Sequence, residues 1–282
     1  MTERSNSDII VSNLNRLKER EATIKELRAL EIAELPCVID STAGLRDIIR
    51  LYRQHMPLRN DDFTIPDRLK FCNRIVDLSK INLKNILIKN EGHHIINAVA
   101  YVKNQYSLEA LVRLCNRITV TGEHVFSSFG ELCDDIASGN ADACIIPIEN
   151  TSDGKLANFY SIIDRFELKI HSTCEIENSD GNQVTRYALL RRHIAIPECD
   201  SCYIEVSFVS ARTNTIKDII DVSALLNLSI YRINSMPLRY DKSSFEISSV
   251  LYGDIDSIMK FILFIKLNIP QHTILGLYNN VI

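Results

Sequence analysis

Residues 147–154, Pro-Ile-Glu-Asn-Thr-Ser-Asp-Gly, close an apolar run with a row of polar or flexible residues. Asn150, Thr151, Ser152 and Asp153 all carry short hydrogen-bonding side chains, and the chain that follows has the apolar spacing of a helix starting near Lys155. Two chemistries fit such a place. Free backbone N–H groups and the positive end of a helix dipole can hold a carboxylate. The same side chains can instead cap the helix, and from the residues alone capping is the simpler account.

Other chemistry-bearing residues are more dispersed. Cys199 and Cys202 form a lone C-x-x-C. No second ligand pair stands at matching spacing, so the thiols read as reduced and structural and no metal is expected. His93 and His94 are adjacent and read as a surface pair. Near the start, Ile10, Leu14, Leu17, Ile24, Ile32 and Leu35 fall on one helical stripe that also contains Glu21 and Arg28. A charge on a buried face must be paired, serve a ligand, or snorkel to water.

The formal net charge is -4, which argues against a nucleic-acid binder driven by phosphate contacts. No apolar run is long enough to span a membrane and no signal-peptide core is visible, so a cytoplasmic protein without membrane or nucleic-acid partners is expected.

The elements that would position these groups fall into three regimes. Residues 1–80 read as helical, including 45–55 and 67–79. From about Lys84, helices and strands alternate. Residues 85–90 read as a strand, 94–104 as a helix, 118–122 as a strand, and "SSFGELCDDIASG" as a helix capped by serine and ended by Gly139. Residues 141–148 and 168–176 then read as strands around a helix over 155–166, followed by the strand 184–192. This pattern predicts an α/β layer with a mostly parallel sheet. After "IPECDS" the order becomes βαββαβ, a ferredoxin-like unit. There Ile204, Val206 and Phe208 alternate with Glu205 and Ser207.

"GNADACIIPIENTSDGKLANFYSIID" resembles a signature of prephenate dehydratases, and "NQVTRYALL" resembles their Asn-x-x-Thr-Arg-Phe strand, with Asn182, Thr185 and Arg186 kept and Tyr187 in place of Phe. Asn234-Ser235-Met236-Pro237 and "TILGLY" are similar to parts of that family's regulatory domain. "LRDIIR" is similar to a chorismate mutase helix through Arg46, Asp47 and Arg50, and Arg28 matches a substrate-binding arginine. The resemblance therefore implies a shortened relative of bifunctional chorismate mutase/prephenate dehydratase. Its parts would be a helical mutase-like segment (1–80), one dehydratase-like lobe (81–196) and an ACT-like regulatory domain (197–282).

The departures are specific. Only "IENSDGNQV" separates Glu175 from Thr185, so the second dehydratase lobe is missing. The family's glycine-rich loop is placed at "KNEGHHI", keeping Glu91 and Gly92 but with His93 and His94 for Thr and Phe. A Gly-Ala-Leu loop is replaced by "ARTNTIKD", and the mutase lysine is absent. The resemblance implies catalysis by Thr185 and Arg186, with Glu149, Asn150, Thr151, Gly92 and His93 binding prephenate. Arg28, Arg46, Asp47 and Arg50 would serve chorismate, and Ser235 and Pro237 a regulatory ligand. It implies no cofactor, a homodimer or larger assembly, and a place in phenylalanine biosynthesis. The rival expectation is a catalytically impaired pseudoenzyme that binds small molecules.

Overall fold

The computed structural model describes residues 64–78, 95–116, 118–210, 214–237, 245–269 and 271–281. The chain forms two compact units, Met1–Ile81 and Asn82–Ile282. In the first, the described part is helix α1 (Ile65–Leu78), where a helix is predicted over 67–79. Thr64 and Asp67 cap it reciprocally, the Thr64 hydroxyl donating to the Asp67 carboxylate at 2.7 Å. The other helices expected in 1–80, and the strand expected over 85–90, lie outside the described residues.

The second unit runs β1 (Ile95–Ile96), β2 (Val99–Val102), α2 (Gln105–Leu114), β3 (Thr119–Val120), β4 (Glu123–Phe126) and α3 (Phe129–Ser138). It continues with β5 (Ala143–Asn150), β6 (Gly154–Lys155), α4 (Ala157–Arg165), β7 (Lys169–Glu177) and β8 (Val184–Arg191). The βαββαβ order follows as β9 (Ser201–Ser210), α5 (Asn214–Leu225), β10 (Ser229–Pro237), β11 (Phe245–Asp254), α6 (Ile255–Asn268) and β12 (His272–Val281). One sheet carries all of the longer strands, in the order β10-β11-β9-β12-β7-β8-β5-β2-β4.

Where a helix is expected over 94–104, the described residues from Ile95 onward form β1 and β2, and the helix begins only at Gln105. The reason is burial on both faces. Ala98, Ala100 and Val102 pack with Leu132, Ile136 and Ile163, whereas Val99 and Tyr101 pack with Ala110, Leu111 and Leu114 of α2. A strand covered on both sides reads as a continuous apolar run, which periodicity does not separate from a helix. By contrast, α3 has the expected caps. Ser128 and Glu131 form a reciprocal capping box, and Gly139 ends the helix at φ 73.

Strands β4, β2 and β5 are parallel, and β8 pairs antiparallel with both β5 and β7. A short turn over 178–183 joins β7 to β8, so no lobe is inserted there. The order β10-β11-β9-β12 is an antiparallel split βαβ sheet. It does not stand apart, because β12 also pairs in parallel with β7. Gly276 makes this seam possible, since a Cβ there would lie 2.4 Å from the Ile170 carbonyl oxygen.

Candidate functional site

A β-bulge builds the centre of the site. Pro147 pairs with Tyr187 but Glu149 pairs with Arg186, leaving Ile148 unmatched. The extra residue puts Glu149 beside Arg186, and on the other side Arg186 pairs with Glu175 of β7. An acid–base–acid row therefore crosses three neighbouring strands. Arg186 Nη1 donates to Glu149 Oε2 at 3.4 Å, and Arg186 Nη2 lies 3.9 Å from Glu175 Oε1. Arg186 is 3% exposed, and its Nε and Nη2 have no hydrogen-bond partner.

Strand β10 reaches the same place from the far edge of the sheet. Its own bulge leaves Tyr231 unmatched between Ile230 and Arg232. Arg232 forms an ion pair with Glu149, and the Tyr231 ring lies 5.4 Å from the Arg186 guanidinium. Six strand steps separate β10 from β5, about 29 Å in a flat sheet at about 4.8 Å per step. The sheet must therefore coil on itself to make these contacts. Burial lowers the pKa of Arg232.

Beneath this row lies a closed hydrogen-bond network. Sequence alternation places Glu205 opposite Ile204 and Val206, yet that face is also covered and Glu205 is fully buried. Its carboxylate accepts from Tyr160 of α4 at 2.8 Å and from Tyr278 of β12 at 3.0 Å. Burial, reinforced by the Glu205 charge, pushes both phenols well above their usual range. The Lys155 ammonium sits 3.7 Å over the Tyr160 ring, and burial lowers its pKa against the opposing pull of Glu205 and Glu246. Tyr203 stacks on Tyr278 at 5.7 Å and meets Tyr231 edge-on at 5.5 Å.

The polar row at 150–154 does not cap a helix. Helix α4 starts at Ala157, two residues later than expected, and its Leu156 cap makes no side-chain hydrogen bond. The row is a tight β-turn into β6, where Asn150 pairs with Gly154 at φ 68. Asn150 Nδ2 donates to Asp153 at 2.8 Å, while Thr151 Oγ1 accepts from the Val184 N–H at 3.2 Å. These side chains hold the turn against β8.

Asn150 and Thr185 are register partners. Alternation puts them on the face that packs against α2, opposite to Glu149 and Arg186. The signature residues therefore divide between two faces of the sheet. The strand-to-helix turn on the α2 side is Lys103–Ser107, where Asn104 caps α2 by accepting from the Ser107 N–H. Ser235 is exposed on β10, opposite Ile247, and Pro237 pairs with Phe245 in register. Gly92, His93, Arg28, Arg46, Asp47 and Arg50 lie outside the described residues.

Glu175, Glu205, Tyr231 and Arg232 belong to the cluster although no motif singles them out, and Lys155, which lies inside the quoted signature, reads only as a helix start. Glu205 was visible only as one charge in an alternating strand. Cys199 donates to the Ser201 carbonyl at 2.9 Å and contacts Asn279, whereas burial pushes Cys202 up to about 12. Among the described residues no helix is long and apolar enough to cross a membrane.

No known family profile and no curated protein matches the sequence. Solved structures do. Prephenate dehydratase from Streptococcus mutans aligns over 66% of this chain and 100% of its own, with a TM-score of 0.53 and 15% identity. The fold is prephenate dehydratase-like. Prephenate dehydratase from Arthrobacter aurescens, solved with L-Phe, aligns over 64% of this chain and 89% of its own, with a TM-score of 0.51 and 14% identity. GqqA, described as a novel type of quorum-quenching acylase, aligns over 66% and 95%, with a TM-score of 0.52 and 16% identity. The prephenate dehydratase-like fold is thus shared by proteins described with different activities.

Proposed function

We propose that this chain is a shortened prephenate dehydratase-like protein of aromatic amino acid biosynthesis that takes prephenate at its signature strands. The observation that carries the reading is the register of β5 and β8. It pairs Asn150 with Thr185 and Glu149 with Arg186 in a prephenate dehydratase-like fold. The reaction breaks the ring–carboxylate bond, releasing carbon dioxide. The electron pair enters the ring and expels the hydroxyl, which leaves as water after gaining a proton. Thr185 is the proposed donor to that hydroxyl and Asn150 and Thr151 contact polar groups, whereas Arg186, on the opposite face, helps position the site by tying β8 to β5 through Glu149. The βαββαβ part is the proposed ACT-type regulatory unit, and residues 1–80 the proposed mutase-like segment.

Without a second lobe, orientation and water exclusion are reduced, so turnover is expected to be very low or absent. The test compares wild type with Thr185→Ala on prephenate at neutral pH, following phenylpyruvate and measuring prephenate binding calorimetrically. Prephenate binding with trace, Thr185-dependent product supports the reading. No binding, and product no greater than in the Thr185→Ala protein, overturns it. Chorismate consumption tests the mutase-like segment separately.

A further inference from the structure

We propose that β10 supplies an aromatic wall on the Arg186 face of the sheet, making a composite site for a small aromatic monocarboxylate. The proposal rests on the preceding reading only for the shared fold, since this cluster lies on the sheet face opposite to Thr185. Three observations carry it. First, Arg186 is buried, yet its Nε and Nη2 lack hydrogen-bond partners. These two nitrogens form one planar edge, the geometry that holds a carboxylate by two parallel bonds. Glu175 stops short of it, at 3.9 Å from Nη2. Second, the guanidinium groups of Arg186 and Arg232 both contact the carboxylate of Glu149. With Glu175 turned away, two cations on one anion leave a charge that a monoanion complements. Third, the Tyr231 ring lies 5.4 Å from the Arg186 guanidinium and meets Tyr203 edge-on, offering ring surface to a planar ligand body.

Two of the side chains around the Arg186 guanidinium reach the surface. Glu175 has 46% of its side chain exposed, and Tyr231 is 53% exposed. A ligand carboxylate reaches the edge when Glu175 turns outward. Glu175 thus competes with the ligand, and the bulge at Tyr231 is the device that places the aromatic wall.

Sodium benzoate is the probe, titrated into the full chain by ligand-observed NMR, with benzamide as its neutral isostere and acetate as its non-aromatic one. Benzoate is expected to bind at least 10-fold more tightly than either. Tyr231→Ala should weaken benzoate several-fold, and Glu175→Gln should tighten it several-fold. Arg186→Lys should remove most of the affinity, because an ammonium does not present the two-donor edge. Arg186 is buried and its variant can misfold, so the Tyr231 and Glu175 variants decide the matter. Benzoate affinity unchanged in both, or equal affinity for benzamide, overturns the proposal. Because benzoate binding needs no turnover, the two readings fail separately. Thr185-dependent phenylpyruvate with Tyr231-independent benzoate binding sinks only the composite wall, whereas the reverse sinks only the dehydratase reading.

Discussion

Glu205→Leu is expected to be among the most damaging single substitutions in the second unit. The carboxylate is fully buried and accepts two hydrogen bonds, from Tyr160 and Tyr278. Leucine removes both acceptors and leaves two buried phenol hydroxyls without partners. Each stranded donor costs about 1–3 kcal/mol, so the expected loss is about 2–6 kcal/mol. For a unit of this size that lowers Tm on the order of 10 °C. The argument makes a second demand. Deleting the phenol hydroxyls as well, in Glu205→Leu/Tyr160→Phe/Tyr278→Phe, removes the stranded donors and should restore most of the loss. Denaturant unfolding of wild type, the single variant and the triple variant measures both numbers. A single variant within about 0.5 kcal/mol of wild type, a typical neutral surface effect, would refute the reasoning. A triple variant as unstable as the single one would do the same.

The network also sets an alkaline limit. Tyr160 and Tyr278 have folded pKa values above the ordinary 10.0, so the folded state keeps protons that the unfolded state releases. Their contribution is complete below pH 10 and is lost as pH rises beyond it, whereas the lowered Lys155 acts with the opposite sign below its ordinary 10.5. Tyr278→Phe should therefore flatten the fall in stability above pH 10, read from urea midpoints across pH, and an unchanged slope would count against this account. Gly276→Ala drives a methyl into the Ile170 backbone and should cost about 1–3 kcal/mol in the same unfolding assay, with hydrogen exchange rising first at the β7–β12 seam. Light scattering at micromolar concentration should give a dimer or larger species, through pairing at the β10 edge, and a monomeric mass would oppose it. Phenylalanine should bind weakly or not at all, because the loop that would enclose it is replaced by residues such as Arg212 and Thr213. Micromolar affinity by calorimetry, abolished by Ser235→Arg, would reverse that expectation.

The parts legible in the sequence were those encoded locally. Ser128, Glu131 and Gly139 specify α3 through backbone chemistry within a few residues, and the alternation at 201–210 specifies β9. Residues 94–104 misled because Val99–Val102 are buried on both faces, which erases the period that marks a half-buried strand. The turn at 150–154 misled because Asn, Thr, Ser and Asp serve helix caps and β-turns equally well, and the pairing of Asn150 with Gly154 decides between them. The outer half of the candidate site was not legible at all. Arg232 meets Glu149 only because a sheet of many strands coils, and Glu205 is buried where Tyr160 of α4 and Tyr278 of β12 close over its carboxylate. Helix α6 gives a related lesson. Its apolar residues run around the whole helix because Phe261, Ile262, Leu263, Phe264 and Ile265 are all buried within the chain itself.

The position of β12 bears on how the second unit reaches its native state. In chain order β12 follows both strands it joins, yet it lies between them, pairing with β9 on one side and β7 on the other. Until it inserts, β7 and β9 each present an open row of backbone donors and acceptors. Closing the gap requires a contact between residues about 100 positions apart, such as Asn280 with Thr173, so it is a late, high-contact-order step. Intermediates that lack it would carry two unpaired edges and invite association with other chains. Refolding yield should therefore fall with protein concentration more steeply than native stability alone would suggest, and a chaperone or a low working concentration would favour the step in which one strand completes both halves.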